Sequence, residues 1–144
     1  MPQSEQAAPV HLWVIGILSL LWNAIGAFDY LATQFGMESY MSQFSPEQLD
    51  YFQAFPAWLV AAWAVGVWGS VLGSLALLLR KAWAFWLFGA SLLGLAITSV
   101  YNFALSDGIG IMGSGAAIFH AVIWTIALLL LFYARAMANR GVLT

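Results

Sequence analysis

Four long apolar stretches, separated by short polar segments, set the frame of this sequence; they cover about residues 11–33, 56–79, 82–105 and 115–134. Each approaches or exceeds the roughly 20 mostly apolar residues that a helix needs to cross the hydrocarbon core of a bilayer. Apart from His11 at the very start of the first, Asp29 and His120 are the only acidic or basic side chains inside them. The segment over 36–55 has a different pattern. Met37, Tyr40, Met41 and Phe44 recur at i, i+3, i+4 and i+7, one face of a helix. Ser45-Pro46-Glu47-Gln48 then reads as a new helix start, with Ser45 as N-cap, Pro46 at the first helical position and Gln48 as capping-box partner. Leu49, Phe52 and Phe55 give that helix an apolar side. The predicted fold is an all-α integral membrane protein: a four-transmembrane-helix bundle, one membrane domain over 1–144, with short amphipathic helices in the outer loop between the first two spans. Those helices are expected on the membrane surface or over the bundle mouth, either as a cap that closes the bundle or as a lid over a binding site.

Charge placement orients the bundle. The four basic residues, Arg80, Lys81, Arg135 and Arg140, all follow the second or fourth span, whereas Asp29, Glu38, Glu47, Asp50 and Asp107 lie toward the other side. The positive-inside rule makes the basic side cytoplasmic, so both termini are expected there, in a bacterial inner membrane. Arg80-Lys81 leaves almost no loop, which predicts a tight hairpin. Trp13, Trp83 and Trp86 at the inner boundary and Trp58 at the outer one suit the headgroup level. Trp22, Trp63, Trp68 and Trp124 lie deeper, against helices or lipid tails. The segment from Met1 to Val10 holds Glu5 and no basic residue, which is not the positively charged start of a cleaved signal peptide.

Composition strengthens the membrane assignment and removes several functions. Of 144 residues, 63% are hydrophobic and 7% charged, where soluble domains carry about 25% charged residues. The bilayer is therefore the expected solvent. With no cysteine, disulfides, thiolate metal sites and cysteine nucleophiles are excluded. A net charge of −2 without a basic run gives no basis for nucleic-acid binding. One intramembrane His and one Asp make a poor metal set. The glycines of Gly108-Ile109-Gly110 and Gly113-Ser114-Gly115 lack the strand and lysine of a phosphate loop and read as a flexible outer turn. No nucleophile–His arrangement is present. Neither an enzyme nor a cofactor is expected.

Small residues mark where helices approach. Ala62, Gly66, Ser70 and Ser74 recur every four residues in the second span, with Gly69 and Gly73 beside them; Ala90, Gly94 and Thr98 do so in the third. Such seams fit contacts within the bundle or between protomers. Polar groups in hydrocarbon need a partner or a purpose. Asp29, Asn102 and His120 fall in one shallow outer layer of the first, third and fourth spans, with Asn23 and Trp22 deeper. Trp22, Gly26, Asp29 and Thr33 share one helix face. These five residues, Asp29, Asn102, His120, Asn23 and Trp22, form the candidate binding site, with Asp29 acting as an anion or proton acceptor and an Asp29–His120 pair able to couple binding to protons. Alternatively they are structural: Asp29 sits in interfacial water and His120 makes one hydrogen bond. Phe28-Asp29-Tyr30 and Tyr101-Asn102-Phe103 each set a polar residue between two aromatics near the outer boundary.

The run from Leu21 to Tyr30 (Leu-Trp-Asn-Ala-Ile-Gly-Ala-Phe-Asp-Tyr), then Tyr40-Met41-Ser42-Gln43-Phe44-Ser45-Pro46-Glu47-Gln48 and Phe55-Pro56-Ala57-Trp58, resembles a group of small proteobacterial four-helix membrane proteins often labelled "sugar transporter". The resemblance extends over most of the chain. It implies a compact four-helix unit and transport, and it assigns no binding residue. Two functions are therefore expected in order: a transporter or solute-binding protein for a small polar solute, acting as a homo-oligomer; or a non-catalytic accessory subunit of a larger membrane complex.

Overall fold

The computed structural model describes residues 7–144; residues 1–6, including Glu5 of the segment read above, lie outside the described residues. In chain order, α1 (Val10–Gln34) is followed by two short helices, α2 (Glu38–Met41) and α3 (Pro46–Gln53), then by α4 (Ala57–Leu78) and α5 (Ala84–Val100). A π-helical turn, Tyr101–Leu105, extends α5 before α6 (Gly108–Met112) and α7 (Ser114–Asn139). Helices α1, α4, α5 with its π-helical turn, and α7 are each long and apolar enough to span a membrane.

Local chemistry explains most boundaries. Ser45 caps α3 by accepting the Gln48 N–H at 3.2 Å, and the Gln48 side chain accepts the Ser45 N–H at 3.1 Å. Pro56 precedes α4 in extended conformation, as a residue without an N–H does well at a helix start. Helix α7 runs past the expected end at 134 to Asn139. Hydropathy falls at Arg135, but Ala136, Met137 and Ala138 are strong helix formers, and a basic residue near a helix C-terminus is favourable. The glycine-rich 108–115 segment is also more ordered than expected. Asp107 accepts the Gly110 N–H at 3.1 Å and so starts α6, while Gly113 at φ 94° makes the break into α7.

Helix α1 packs on α4, α4 on α5, and α5 on α7. Helices α1 and α7 meet through side chains: His11 Nδ1 lies 2.5 Å from the Tyr133 hydroxyl, and Trp22 meets Phe119 with ring centroids 5.9 Å apart. His11 is thus a tie between helices. At the end of the bundle that carries the basic residues, Arg80 takes a left-handed φ of 56°, and Lys81 N–H returns to the Ala76 carbonyl at 2.8 Å. Arg80 Nε donates to Val142 O at 3.1 Å, which draws residues 141–144 under the hairpin. A continuous apolar core fills this half, built on Leu12, Leu77, Phe88, Leu130, Met137 and Leu143.

The small-residue stripes are seams within the chain. A Cβ on Gly94 would overlap the Ala62 carbonyl oxygen and the Gly66 backbone, so α4 and α5 approach backbone to backbone there. Ser91 donates to the Gly66 carbonyl at 2.5 Å across the same seam. Ser91, not the expected Ala90, shares that face with Gly94; Ala90 is exposed. The other edge of the α4 stripe faces α1: Asn23 Nδ2 donates to Ser70 O at 3.1 Å and Ser74 Oγ at 2.9 Å, and Ser19 bonds Ser74 at 2.9 Å. Trp13, Trp58, Trp83 and Trp86 are exposed, while Trp124 reaches Ser99 at 3.0 Å.

These contacts separate two glycines of one helix. Gly94→Ala is expected to destabilise the protein by about 1–3 kcal/mol, because the overlapping atoms are backbone and cannot rotate away. Gly89→Ala, where an added Cβ meets nothing within 4 Å, should be neutral or stabilising by about 0.5–1 kcal/mol. Thermal unfolding of both variants in detergent checks the pair, and equal behaviour would count against the seam.

Candidate functional site

A cavity of about 470 Å³ lies between α1 and α7, backed by α4 and α5 and covered by α2, α3 and α6. It lies toward the end of the bundle away from the basic residues and reaches down to Phe88 and Leu130 of the apolar core. All five sequence candidates, Trp22, Asn23, Asp29, Asn102 and His120, line it. On α1, the face read from sequence is the one turned inward, since Trp22, Gly26, Asp29 and Thr33 all line the wall. Gly26 leaves a gap in that face: a Cβ built there meets nothing within 4 Å.

The candidates differ in how they are held. Asn23 is buried, and its amide nitrogen is committed to Ser70 and Ser74 in the α1–α4 seam, so it borders the cavity mainly as a structural residue. Asn102 donates to the Thr98 carbonyl at 2.8 Å and accepts the Tyr51 hydroxyl at 2.5 Å. It sits in the π-helical turn, a distortion that lets the end of α5 re-aim side chains. Gly108 makes room for this turn, because a Cβ there would press on the Asn102 carbonyl. His120 stacks edge-on against Phe103, with centroids 4.9 Å apart. Asp29 is half-buried and accepts the Tyr40 hydroxyl. The expected Asp29–His120 pair does not form. The two side chains share the cavity, yet each has a different partner, because α1 and α7 are not packed backbone to backbone.

Tyr40 and Tyr51 were missed by the sequence reading, and they make the cover a latched one. Helix α2 holds Asp29 through Tyr40; α3 holds Asn102 and Ser106 through Tyr51, whose hydroxyl lies 2.8 Å from Ser106 Oγ. Gln48 Nε2 ties α3 to the Ile111 carbonyl of α6 at 3.3 Å. Phe44, Phe52 and Phe55 fill the underside. A signal existed in α3: Gln48, Tyr51, Phe52 and Phe55 follow i, i+3, i+4 and i+7, a better inward face than Leu49, Phe52 and Phe55. Each of the two aromatic–polar–aromatic triplets thus ends at a tyrosine hydroxyl from the cover.

The wall mixes polar and aromatic groups: Trp22, Trp63, Phe88 and Phe119 join the three phenylalanines of the cover. Among the described residues there is no group of three or more His, Asp, Glu or Cys side chains able to hold a metal. Comparisons with protein-family models, with curated proteins and with solved structures give no match.

Burial, then the hydrogen bond and charge of Asp29, hold the Tyr40 phenol well above its ordinary value near 10. Burial raises Tyr51 too, against a smaller opposing effect of the Ser106 hydrogen bond. A raised phenol is stabilised in its neutral form. Its contribution is therefore complete below pH about 10 and is lost as pH climbs through the raised folded values. Protection factors over residues 38–53, taken relative to the base-catalysed intrinsic exchange rate at each pH, should hold up to that pH and fall above it, and protection that stays constant across the alkaline range would contradict the latch. At neutral pH, Tyr51→Phe removes the donor to Asn102 and should cost about 1 kcal/mol, felt as faster exchange of α3 with α4 and α5 unchanged.

Proposed function

We propose that this chain is a small multi-pass membrane protein that binds a small solute in the covered cavity and moves it across, or releases it within, the bilayer. The observation that carries the reading is the convergence of Asp29, Asn102 and His120 on one cavity of about 470 Å³, inside the range of about 300–1,000 Å³ usual for small-molecule sites. The two tyrosine latches support a lid over a binding site rather than a cap that only closes the bundle. The cavity stops at the apolar core, so transport requires α7 to move relative to α1, to which it is joined by the His11–Tyr133 and Trp22–Phe119 side-chain contacts. We read the chain as a binding protein without catalytic chemistry, consistent with its resemblance to proteins labelled as transporters.

Orientation follows from the charges. Arg80, Lys81, Arg135 and Arg140 occupy the end with the short hairpin, and we assign that end, with both termini, to the cytoplasm of a bacterial inner membrane. The cavity and its cover then face outward. Helix α7 is the least buried of the four spans, and Ile118, Val122, Leu129 and Phe132 are exposed along it. A second copy against this face would give a homo-oligomer. A larger complex docked there would make the chain an accessory subunit.

Filling the cavity tests the reading. Gly26→Leu adds a side chain where the structure has open space, so folding should survive and solute binding should not. Trp22 and Trp63 report occupancy by fluorescence. Wild-type protein in nanodiscs is expected to respond to at least one class among sugars, amines and weak acids, and Gly26→Leu to none. A wild type silent to all of them would sink the solute-binding reading. Native mass after gentle extraction decides the rest: a small oligomer supports autonomous action, and co-migration with a much larger assembly supports the accessory subunit.

A further inference from the structure

We propose that the ligand of this cavity is a lipophilic organic cation, a compound of aromatic or alkyl bulk carrying one positive charge; the inference rests on the solute-binding reading above and names its substrate class. Three independent features converge on it.

The first is charge without a counter-charge. Among the described residues, Asp29 is the one carboxylate lining the cavity and no Lys or Arg lines it; His120, which also lines it, packs edge-on against Phe103. Its partner is the Tyr40 hydroxyl, a neutral donor that orients the carboxylate and leaves its negative charge uncompensated. Glu38, Glu47, Asp50 and Asp107 lie at the same end of the bundle, and all four basic residues lie at the other. A low-dielectric cavity rimmed by charge of one sign concentrates ions of the opposite sign.

The second is the wall. Trp22 lies two turns from Asp29 on the same helix face, with the empty space of Gly26 between them. Phe119 and Trp63 add further rings, and aromatic faces attract desolvated cations. For a sugar, much of the polar wall is already engaged, although Thr33 and His120 also line the cavity. The amide nitrogens of Asn23 and Asn102 and the hydroxyls of Ser91 and Thr98 are already donated to protein acceptors.

The third is access. Ile25 and Phe119 line the cavity and are also 66% and 54% exposed on the outside of the bundle. Between α1 and α7 the wall is thus only one side chain thick at the depth of the spans. A ligand that partitions into lipid meets these side chains directly and reaches the cavity if they swing aside, without the lid opening.

Equilibrium binding of tetraphenylphosphonium to the purified full chain in nanodiscs tests the assignment, with triphenylphosphine oxide as an uncharged aromatic and glucose as a polar solute. Wild type is expected to bind the cation saturably and at least about tenfold more tightly than the uncharged compound. Asp29→Asn should remove that preference while the uncharged compound binds as before, which also shows the variant to be folded. Asp29→Glu, which keeps the charge, should retain part of the preference. Gly26→Leu should abolish saturable binding of both, separating the cavity from partition into lipid. Equal affinity of wild type for the cation and the uncharged compound overturns the cation assignment without any variant, as does cation binding that Asp29→Asn leaves unchanged. Either result leaves the solute-binding reading intact if Gly26→Leu still blocks the cavity. Saturable glucose binding alone likewise removes the cation and keeps the site. Absence of saturable binding by all three compounds overturns the cation and the site together.

Discussion

Backbone contact between α4 and α5 at Gly66 and Gly94 sets the geometry of everything around it. In lipid, one apolar helix gains little by exchanging hydrocarbon tails for another apolar helix, so close approach and interhelical hydrogen bonds have to hold the pair. Gly94 permits the approach, and Ser91 secures it by donating to the Gly66 carbonyl. The opposite edge of α4 uses the same means on α1, through the Asn23, Ser19 and Ser74 side chains. With α4 gripped on both sides, α1 and α5 are fixed by short contacts. Helix α7 has no such seam with α1. It is held through bulkier contacts on α5, such as Trp124 to Ser99, and touches α1 through the His11–Tyr133 and Trp22–Phe119 pairs.

The cavity follows from this inequality. A bundle with four equal glycine seams would close along its whole length. Here three helices are drawn tight and the fourth stands off on large side chains, so space remains between α1 and α7. At the hairpin end that space is filled by Leu12, Leu130, Met137 and the returning residues Val142 and Leu143. Toward the other end Gly26 supplies no side chain, and the space persists up to the cover. The cover must then satisfy the polar groups beneath it, which is what Tyr40 and Tyr51 do. Seam, cavity and latch are steps of one argument.

How far the sequence carries this argument varies by element. Four spanning stretches were legible because hydropathy over some 20 residues is a sum that local detail hardly disturbs. The capping box at Ser45 was legible because its chemistry is contained within four residues. The α4 stripe was visible too, but its partners were not: periodicity gives a face and says nothing of what the face meets. Asn23 illustrates the limit. Its depth suggested a ligand group, whereas its amide belongs to the α1–α4 seam, a fact that depends on Ser70 and Ser74 lying about 50 residues away in sequence and 3 Å away in space. The same limit hid Tyr40 and Tyr51. An aromatic on the apolar face of a short helix reads as bulk, and its hydroxyl becomes informative only when Asp29 or Asn102 is found beneath it. The expected Asp29–His120 pair failed for the converse reason. Equal depth in two helices brings side chains to the same layer, but contact requires the helices to approach closely there, and the cavity separates α1 from α7 at that layer.

Asp29 is the residue at which stability and the proposed function are in tension. A half-buried carboxylate in an aromatic cavity is poorly solvated, and a lysine or arginine nearby would relieve it. A protein selected for stability alone would gain by such a partner or by an uncharged residue of similar shape. Here the partner is a phenol, which donates one hydrogen bond and brings no positive charge. The electrostatic deficit left at Asp29 is therefore available to whatever enters the cavity. The proposed cationic ligand would supply the missing charge, so its binding would gain the interaction that the fold leaves unmade. Tyr40 ties this deficit to the lid, because the hydroxyl that steadies the empty carboxylate belongs to the helix covering it. A carboxylate can accept that hydroxyl on one oxygen and face a cation with the other, so the proposed ligand and the latch would share Asp29.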